Sequence, residues 1–205
     1  MNTSKRERME YLVHTLIDNE PHAFKFHGEM ATHLFLTDQL HFDNKVEICV
    51  KRNELLKILR VIPMAFTIKV INKKGEQLPY DDVQLHQMSS LEVYDRNDLL
   101  MNIIIYDVDN EHWLFRLNHN VRIPEKYIYY HSLKWKVDYI KPEIVLMYLL
   151  HEPFNDKKVP FYRHLIDKMS YFQFVTLKIA VGEDLLKRAS FQKEVLNVNV
   201  IIILR

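Results

Sequence analysis

The chain has 205 residues, with 28 basic and 27 acidic side chains and a formal net charge of +1. Its 48% of hydrophobic and 27% of charged residues are typical of a globular protein with its own core, and they exclude a disordered or fibrous chain. Three glycines and one cysteine exclude a glycine-rich phosphate-loop enzyme of the usual kind, a disulfide scaffold and a cysteine-ligated zinc site. The near-neutral charge argues against a dedicated nucleic-acid binder, since such a domain is expected to be basic.

Neither end of the sequence shows the pattern of a targeting or membrane segment. Residues 1–9 are polar and lack the apolar centre of a signal peptide. The apolar stretch Val200–Leu204 is far shorter than the roughly 20 residues that cross a bilayer. We therefore expect a cytoplasmic protein without a membrane segment, in which Cys49 is a small buried apolar residue.

The first sixty residues predict an alternation of helices and strands. Ser4 and Glu7 form a capping box before an apolar stripe of helical spacing, and Pro21 limits that first helix. The elements predicted next are a strand over 23–27, a helix over 30–36 after a break at Gly28, a strand over 45–50, and a helix capped by Asn53.

The middle of the chain is rich in strand-like runs, and helices return after it. The predicted extended runs cover residues 65–71, 83–94, 99–106, 112–117, 127–130 and 135–140. Short connections between them predict antiparallel neighbours. Helices are predicted from Pro142 to Leu150 and from about Pro160 onwards. This order predicts an α+β fold, with an α/β domain over 1–140 and a helical subdomain over 141–205.

The last residues are predicted to pair as a strand. Val198–Leu204 is strongly β-prone, and an exposed strand of that kind invites pairing with another edge. We expect it to join the sheet of its own chain or the edge of a second copy, which would make the protein a homo-oligomer.

Three segments share their order and spacing with a known family. They are Gly28-Glu29 followed by Lys45-Val46-Glu47-Ile48, then Trp113-Leu114-Phe115-Arg116 followed by Arg122-Ile123-Pro124, then Tyr139-Ile140-Lys141-Pro142-Glu143 opening a helix. The ordered set, over residues 10 to 170, resembles the small-molecule nucleotidyltransferases, the aminoglycoside and lincosamide adenylyltransferase group of the polymerase-β-like superfamily. The resemblance implies a mixed β-sheet flanked by helices and followed by a C-terminal helical region.

The same resemblance implies a chemistry and a set of cleft residues. The family transfers a nucleoside monophosphate from a triphosphate to a hydroxyl group, using three strand carboxylates that hold Mg²⁺. Small residues after its first strand let backbone N–H groups approach the phosphates. The positions of this chain that would line the nucleotide cleft are Gly28, Glu29, Lys45, Glu47, Asn102 and Glu143.

This sequence departs from the family pattern at the positions that carry the chemistry. Lys45 and Glu47 stand where an Asp-x-Asp strand is expected, and the third acidic position falls on Asn102. Glu29 replaces a small residue of the phosphate turn, and Leu149 replaces a helical lysine. The three strand positions therefore carry a formal charge of zero instead of −3. A slip of one or two residues would instead bring Asp43, Asp107 or Asp38 near the site.

The charge balance favours an inactive nucleotidyltransferase-like protein that serves as a binding or regulatory module for a small molecule or a protein. It needs no cofactor and no metal. The alternative is an active transferase of AMP to a small hydroxylated substrate such as an aminoglycoside-like compound, with Mg²⁺, a nucleoside triphosphate and Glu47 as the base. A second alternative is RNA binding through tyrosines and Trp135 that alternate with lysines over 126–139.

Several of these residues also have an ordinary structural interpretation. Lys45 either contacts a phosphate or simply pairs with Glu47, its neighbour on the same face of a strand. Asn102 either bonds a ligand or is a buried amide with its partners satisfied. The aromatic run is also ordinary strand material, which favours cross-strand packing. None of the 11 histidines has metal-ligand spacing.

Overall fold

The structure, a computed structural model, describes residues 4–80, 83–118, 120–153 and 155–190. Its helices are α1 (Lys5–Asn19), α2 (Gly28–Thr37), α3 (Leu55–Val61), α4 (Pro142–Leu149), α5 (Val159–Lys168) and α6 (Tyr171–Ser190). Its strands are β1 (Lys25–His27), β2 (Val46–Lys51), β3 (Thr67–Asn72), β4 (Gln77–Pro79), β5 (Met88–Asp95), β6 (Asp98–Tyr106), β7 (Val108–Asp109), β8 (His112–Leu114), β9 (Arg122–Pro124), β10 (Tyr129–Ser132) and β11 (Val137–Ile140).

A central mixed sheet organises the molecule. Its strand order is β10-β11-β1-β2-β6-β5-β3-β4, and β7, β8 and β9 form a small separate sheet. The pairs β1/β11 and β2/β6 are parallel, whereas the other pairs of the large sheet are antiparallel. The predicted α+β class, with a mixed sheet flanked by helices, is confirmed. The antiparallel neighbours expected among the strand-like runs of the middle of the chain are present in β3/β5, β5/β6 and β10/β11. The pair β2/β6, for which no such expectation was made, is parallel, and α3 and three strands intervene between its members along the chain.

The first helix shows how closely local sequence can determine local structure, and two later segments show where it does not. Ser4 Oγ accepts a hydrogen bond from Glu7 N at 3.2 Å, and Ser4 N donates to Glu7 Oε2 at 2.7 Å, so the predicted capping box is present. The run predicted as one strand over 83–94 instead begins with a 3₁₀ turn over Leu85–Gln87, and only Met88 starts β5. Asn53 lies inside the 3₁₀ turn Arg52–Glu54 and makes no capping bond to α3.

The large sheet separates two hydrophobic layers. Val46, Ile48 and Val50 of β2 face a core shared with α1 and α3. The alternate residue Cys49 belongs to a second cluster, made largely of α4, α5, α6 and the small sheet. Burial on both faces gives β2 its nearly continuous apolar sequence. The polar residues that β2 directs to the second face, such as Glu47, therefore lie between the sheet and the C-terminal helices.

The C-terminal part begins after the last strand of the large sheet. The domain boundary proposed at residue 140 falls between β11 and α4, and the division into an α/β domain and a helical subdomain stays a prediction. The strand expected at Val198–Leu204, with the oligomer built on it, lies outside the described residues. None of the helices in the described ranges is long and apolar enough to cross a membrane.

Candidate functional site

The junction of β1 and α2 is built around Gly28. β1 ends at His27, and α2 begins at Gly28, which has φ +57°. A Cβ atom added to Gly28 would lie 1.9 Å from Glu47 Oε2 and 3.0 Å from Glu47 Cδ. Both the backbone conformation and the space thus require glycine at this position. The turn predicted at Gly28 lies directly against the carboxylate of Glu47.

Three side chains form a row across three adjacent strands. His27 pairs with Glu47 between the antiparallel strands β1 and β2, and Glu47 pairs with Asn102 between the parallel strands β2 and β6. Residues in register on neighbouring strands project to the same face of a sheet. Glu47 therefore has His27 on one side and Asn102 on the other, so that the structure brings Glu47 and Asn102 together.

Glu47 is a paired, ionised carboxylate. Its Oε1 lies 2.8 Å from Lys45 Nζ, so the ion pair offered as the ordinary interpretation of Lys45 is present. Burial by itself would raise the pKa of Glu47, but His27, Lys45 and the Asn102 amide together lower that pKa below its usual value. The carboxylate thus keeps its negative charge while its neighbours compensate it.

Two polar groups beside Glu47 lack hydrogen-bond partners. Both ring nitrogens of His27 and Oδ1 of Asn102 are buried, and no group in the described part of the chain bonds them. His27 is only 4% exposed, and its ring packs edge-on against Tyr148 with the centroids 5.2 Å apart. A buried polar atom without a partner costs about 1–3 kcal/mol. Beneath the surface, the row therefore has unused hydrogen-bonding capacity on both sides of Glu47.

A cleft of about 540 Å³ opens beside Glu47, whereas His27 and Asn102 do not line it. Its residues from the sheet side are Gly28, Glu29, Asn44, Lys45 and Glu47, and those from the C-terminal part are Leu149, Glu152, Lys157, Lys158, Phe161 and Tyr162. Three acidic and three basic side chains line it. Lys158 Nζ contacts Glu152 Oε2 at 2.9 Å, so a second ion pair lies on the helical wall. The cleft is thus balanced in charge, and two of its three acidic side chains pair with its own lysines.

Glu143 does not belong to this cleft. It is buried near the start of α4, where Gln173 Nε2 donates a hydrogen bond to its Oε2 at 2.6 Å. Burial raises the pKa of Glu143. It lines another cavity, between α6 and the chain around Tyr127 and Tyr130. Glu143 therefore does not share the cleft of Gly28 and Glu47, because its side chain joins α4 to α6, and its expected place at a nucleotide stays a prediction.

The acidic residues that a shifted alignment would recruit are engaged elsewhere. Asp43 Oδ2 lies 2.8 Å from His41 Nε2, and Asp107 holds Arg52 through two hydrogen bonds of 2.6 and 2.8 Å. Asp38 Oδ1 accepts a hydrogen bond from Ser132 at 2.7 Å. Within residues 4–80, 83–118, 120–153 and 155–190, no group of three or more His, Cys, Asp or Glu could hold a metal ion.

Comparisons with known proteins give likenesses of shape at low sequence identity. No protein-family model matches this chain, and no curated protein does. Three solved structures are similar over 92% of this chain. A "putative nucleotidyltransferase from H. pylori" has 11% sequence identity and a TM-score of 0.46, with 91% of that chain covered, and JHP933 from Helicobacter pylori has 11% identity and a TM-score of 0.45, with 88% covered. The Megavirus polyadenylate synthase has 10% identity and a TM-score of 0.41, with 35% of that chain covered. This chain spans about a third of the viral enzyme.

The aromatic run over 126–139 is used largely in contacts within the protein. Lys25 Nζ lies 4.6 Å from the ring centroid of Tyr129, and Lys134 Nζ lies 4.7 Å from that of Trp135. Tyr130 and Tyr139 form a cross-strand pair with their centroids 5.8 Å apart. These contacts agree with the cross-strand packing favoured from the sequence.

His27 should make the folded protein sensitive to acid. Burial lowers the pKa of His27, while Glu47 and Glu152 oppose that shift and Lys45 and Arg116 reinforce it. The unfolded chain, with a histidine pKa of about 6.5, takes up a proton that the folded state disfavours, so stability falls as pH drops below about 6.5. Between pH 7.5 and 5.5, we expect the free energy of unfolding of the parent protein to fall by about 1 kcal/mol more than that of His27→Phe. Urea unfolding at the two pH values measures the difference.

The same replacement at His14 is the matched control, because His14 is exposed on α1. His14→Phe should keep the acid sensitivity of the parent protein. Equal pH dependence of the parent and His27→Phe would show that His27 does not titrate differently in the two states.

Proposed function

We propose that this chain is a nucleotidyltransferase-like protein that no longer catalyses transfer and uses its cleft to bind a small polar ligand without a divalent metal. The observation that carries the proposal is the 2.8 Å ion pair between Lys45 and Glu47. It neutralises the one carboxylate among the three strand positions at which the sequence resemblance expects acids.

The donor set does not fit Mg²⁺. Hydrated Mg²⁺ usually binds through one or two carboxylates with free oxygen atoms. An ammonium group about 4 Å from a divalent cation is repelled by about 8 kcal/mol at an effective dielectric of 20. Lys45 Nζ lies 2.8 Å from Glu47 Oε1, so an ion bound to that oxygen would be within about that range of the ammonium group, and Asn102 brings no charge to offset the repulsion. The family's metal-dependent step therefore has no counterpart among these residues.

The walls of the cleft favour a ligand that carries both polar and ring-shaped parts. Phe161 and Tyr162 offer aromatic surface, and the two ion pairs offer donors and acceptors of both signs. A volume of about 540 Å³ is in the range of small-molecule sites.

Calorimetric titration with ATP, in the presence and absence of Mg²⁺, tests the proposal. We expect any binding to be indifferent to Mg²⁺, because the described residues contain no group of three or more acids, histidines or cysteines that could hold the ion. The matched variant is Glu47→Gln, which removes the charge and keeps the shape. Tight binding that needs Mg²⁺ and disappears in Glu47→Gln would contradict the proposal.

One observation favours the active alternative. Glu29 and Glu152 are further carboxylates on the same cleft as Glu47, although Glu152 pairs with Lys158. If they were displaced metal ligands, labelled AMP would pass from ATP to a hydroxylated acceptor, and Glu47→Gln would abolish the transfer. If the protein is inactive, we expect the folded protein to transfer no AMP to an aminoglycoside acceptor in the presence of Mg²⁺.

A further inference from the structure

A further cavity, of about 420 Å³, lies at the far end of β2 and β6. Arg52 follows β2 directly and lines this cavity, whereas Glu47 lies five residues earlier on the strand, about 16 Å away along an extended chain. On α4, Tyr148 lines this cavity and the next residue, Leu149, lines the cleft. The two sites are therefore separate, with α4 between them.

One wall of this cavity is rigid and already neutral. Arg52 donates two hydrogen bonds to Asp107, and one terminal nitrogen donates to the carbonyl oxygens of Leu85 and Met88 at 2.7 and 2.9 Å. Hydrogen bonding to Arg52 lowers the pKa of Asp107, which keeps the pair ionised. A bidentate arginine–carboxylate pair is fixed in geometry. Arg52 and Asp107 thus shape the cavity and contribute no net charge.

Among the described residues, two further cations on the same cavity form no close ion pair, although the charge of Lys73 also helps to lower the pKa of Asp107. Arg116 donates one hydrogen bond to Ser89 Oγ at 2.6 Å, and within the described residues neither Arg116 nor Lys73 forms an ion pair. Arg116 ends the Trp113-x-x-Arg116 segment, which the cleft does not use. The site therefore carries an excess of two positive charges beside a hydroxyl group.

The remaining lining adds a hydrogen-bond donor and apolar surface. Burial raises the pKa of Tyr148, so its phenol stays protonated and able to donate. Ile105 and Leu114 contribute apolar walls. An excess of two positive charges matches a phosphate monoester, which carries about −1.5 to −2 near neutral pH. The apolar walls match the organic part of such a molecule.

We propose that this cavity binds a phosphorylated small molecule, with its phosphate between Arg116 and Lys73 and its organic part against Ile105, Leu114 and the ring of Tyr148. Arg116 supplies a planar fork of donors, and Lys73 supplies a point charge from the turn that follows β3. The proposal is independent of the function proposed for the cleft, because the two sites share no lining residue.

Titration calorimetry of the whole chain with phenyl phosphate, inorganic phosphate and phenol in low-salt buffer tests this site. We expect one saturable site for phenyl phosphate, weaker binding of inorganic phosphate, and none of phenol. Arg116→Gln should weaken phenyl phosphate binding about tenfold or more, and Lys73→Gln should weaken it severalfold. Higher salt should weaken it as well, because both cations are exposed.

Matched variants lie nearby. Lys74→Gln changes the exposed lysine that follows Lys73 in the same turn. Arg122→Gln changes an exposed arginine of the small sheet that pairs with Asp109. Neither residue lines the cavity, so both variants should bind phenyl phosphate like the parent protein. No saturable binding of phenyl phosphate, or equal affinity in Arg116→Gln, would overturn the proposal. If Lys45→Gln weakened the binding of phenyl phosphate and Arg116→Gln did not, the anion would bind in the cleft and the proposal would be wrong. Binding of single-stranded RNA without binding of any small phosphate would also overturn the proposal.

Discussion

Replacement of Gly28 by alanine is expected to lower the free energy of unfolding by about 3 kcal/mol. Two costs combine at this residue. The backbone has φ +57°, which costs a residue with a Cβ atom about 1–2 kcal/mol. The new methyl group would also lie 1.9 Å from Glu47 Oε2, so the carboxylate must leave its place between Lys45 and Asn102. Urea unfolding monitored by circular dichroism measures the change.

Gly75→Ala is the matched control for the backbone cost alone. Gly75 has φ +83°, and no atom lies within 4 Å of the place that an added Cβ would take, so the loss should be about 1–2 kcal/mol. In a Glu47→Ala background the obstructing carboxylate is gone, and Gly28→Ala should then cost no more than Gly75→Ala. Equal effects of Gly28→Ala with and without Glu47 would contradict the contact between these two residues.

The combined replacement Lys45→Asp and Asn102→Asp is expected to create a metal site. Together with Glu47, it would place three carboxylates at neighbouring positions at the start of β2 and on β6, as the sequence resemblance expects of an active relative. We expect the double variant to bind Mn²⁺ at least about a hundredfold more tightly than the parent protein, which corresponds to about 2.7 kcal/mol. Removing the repulsion between the Lys45 ammonium group and the cation is by itself large enough to account for this gain in affinity.

Stability gives a second measurement on the same variant. Without metal, three neighbouring carboxylates repel one another, so the double variant should unfold at lower temperature than the parent protein. Mn²⁺ should restore stability by binding only the folded state. The control is Lys74→Asp with Asn120→Asp, two exposed residues away from the cleft, which should gain no metal affinity. Failure of the folded double variant to bind Mn²⁺ would contradict the assignment of these positions.

The sequence predicted the parts of the site that depend on neighbouring strands. The alternation of β2 determines that Glu47 and Cys49 share a face. Under the family resemblance, counting back from Trp113 placed the third acidic position at Asn102, and the structure pairs that residue with Glu47. The Lys45–Glu47 pair also follows from strand geometry, since residues two apart project to the same side. These features are local or depend on a single strand pairing.

Features that depend on how the C-terminal helices pack could not be read from sequence. Lys157 and Lys158 reach the cleft from a 3₁₀ turn before α5, and no periodic pattern marks them as site residues. Glu143 lies at the predicted helix start, yet its direction follows from the contact with Gln173, thirty residues away. The missing partners of His27 are visible only when every group around it is known.

We propose that Lys45 and Asn102 leave the cleft unable to hold a divalent cation. Electron paramagnetic resonance of free Mn²⁺ titrated into the unmodified protein tests this most directly. We expect stoichiometric protein to leave the signal of free Mn²⁺ undiminished at neutral pH. Binding of one Mn²⁺ per chain that disappears in Glu47→Gln would contradict it.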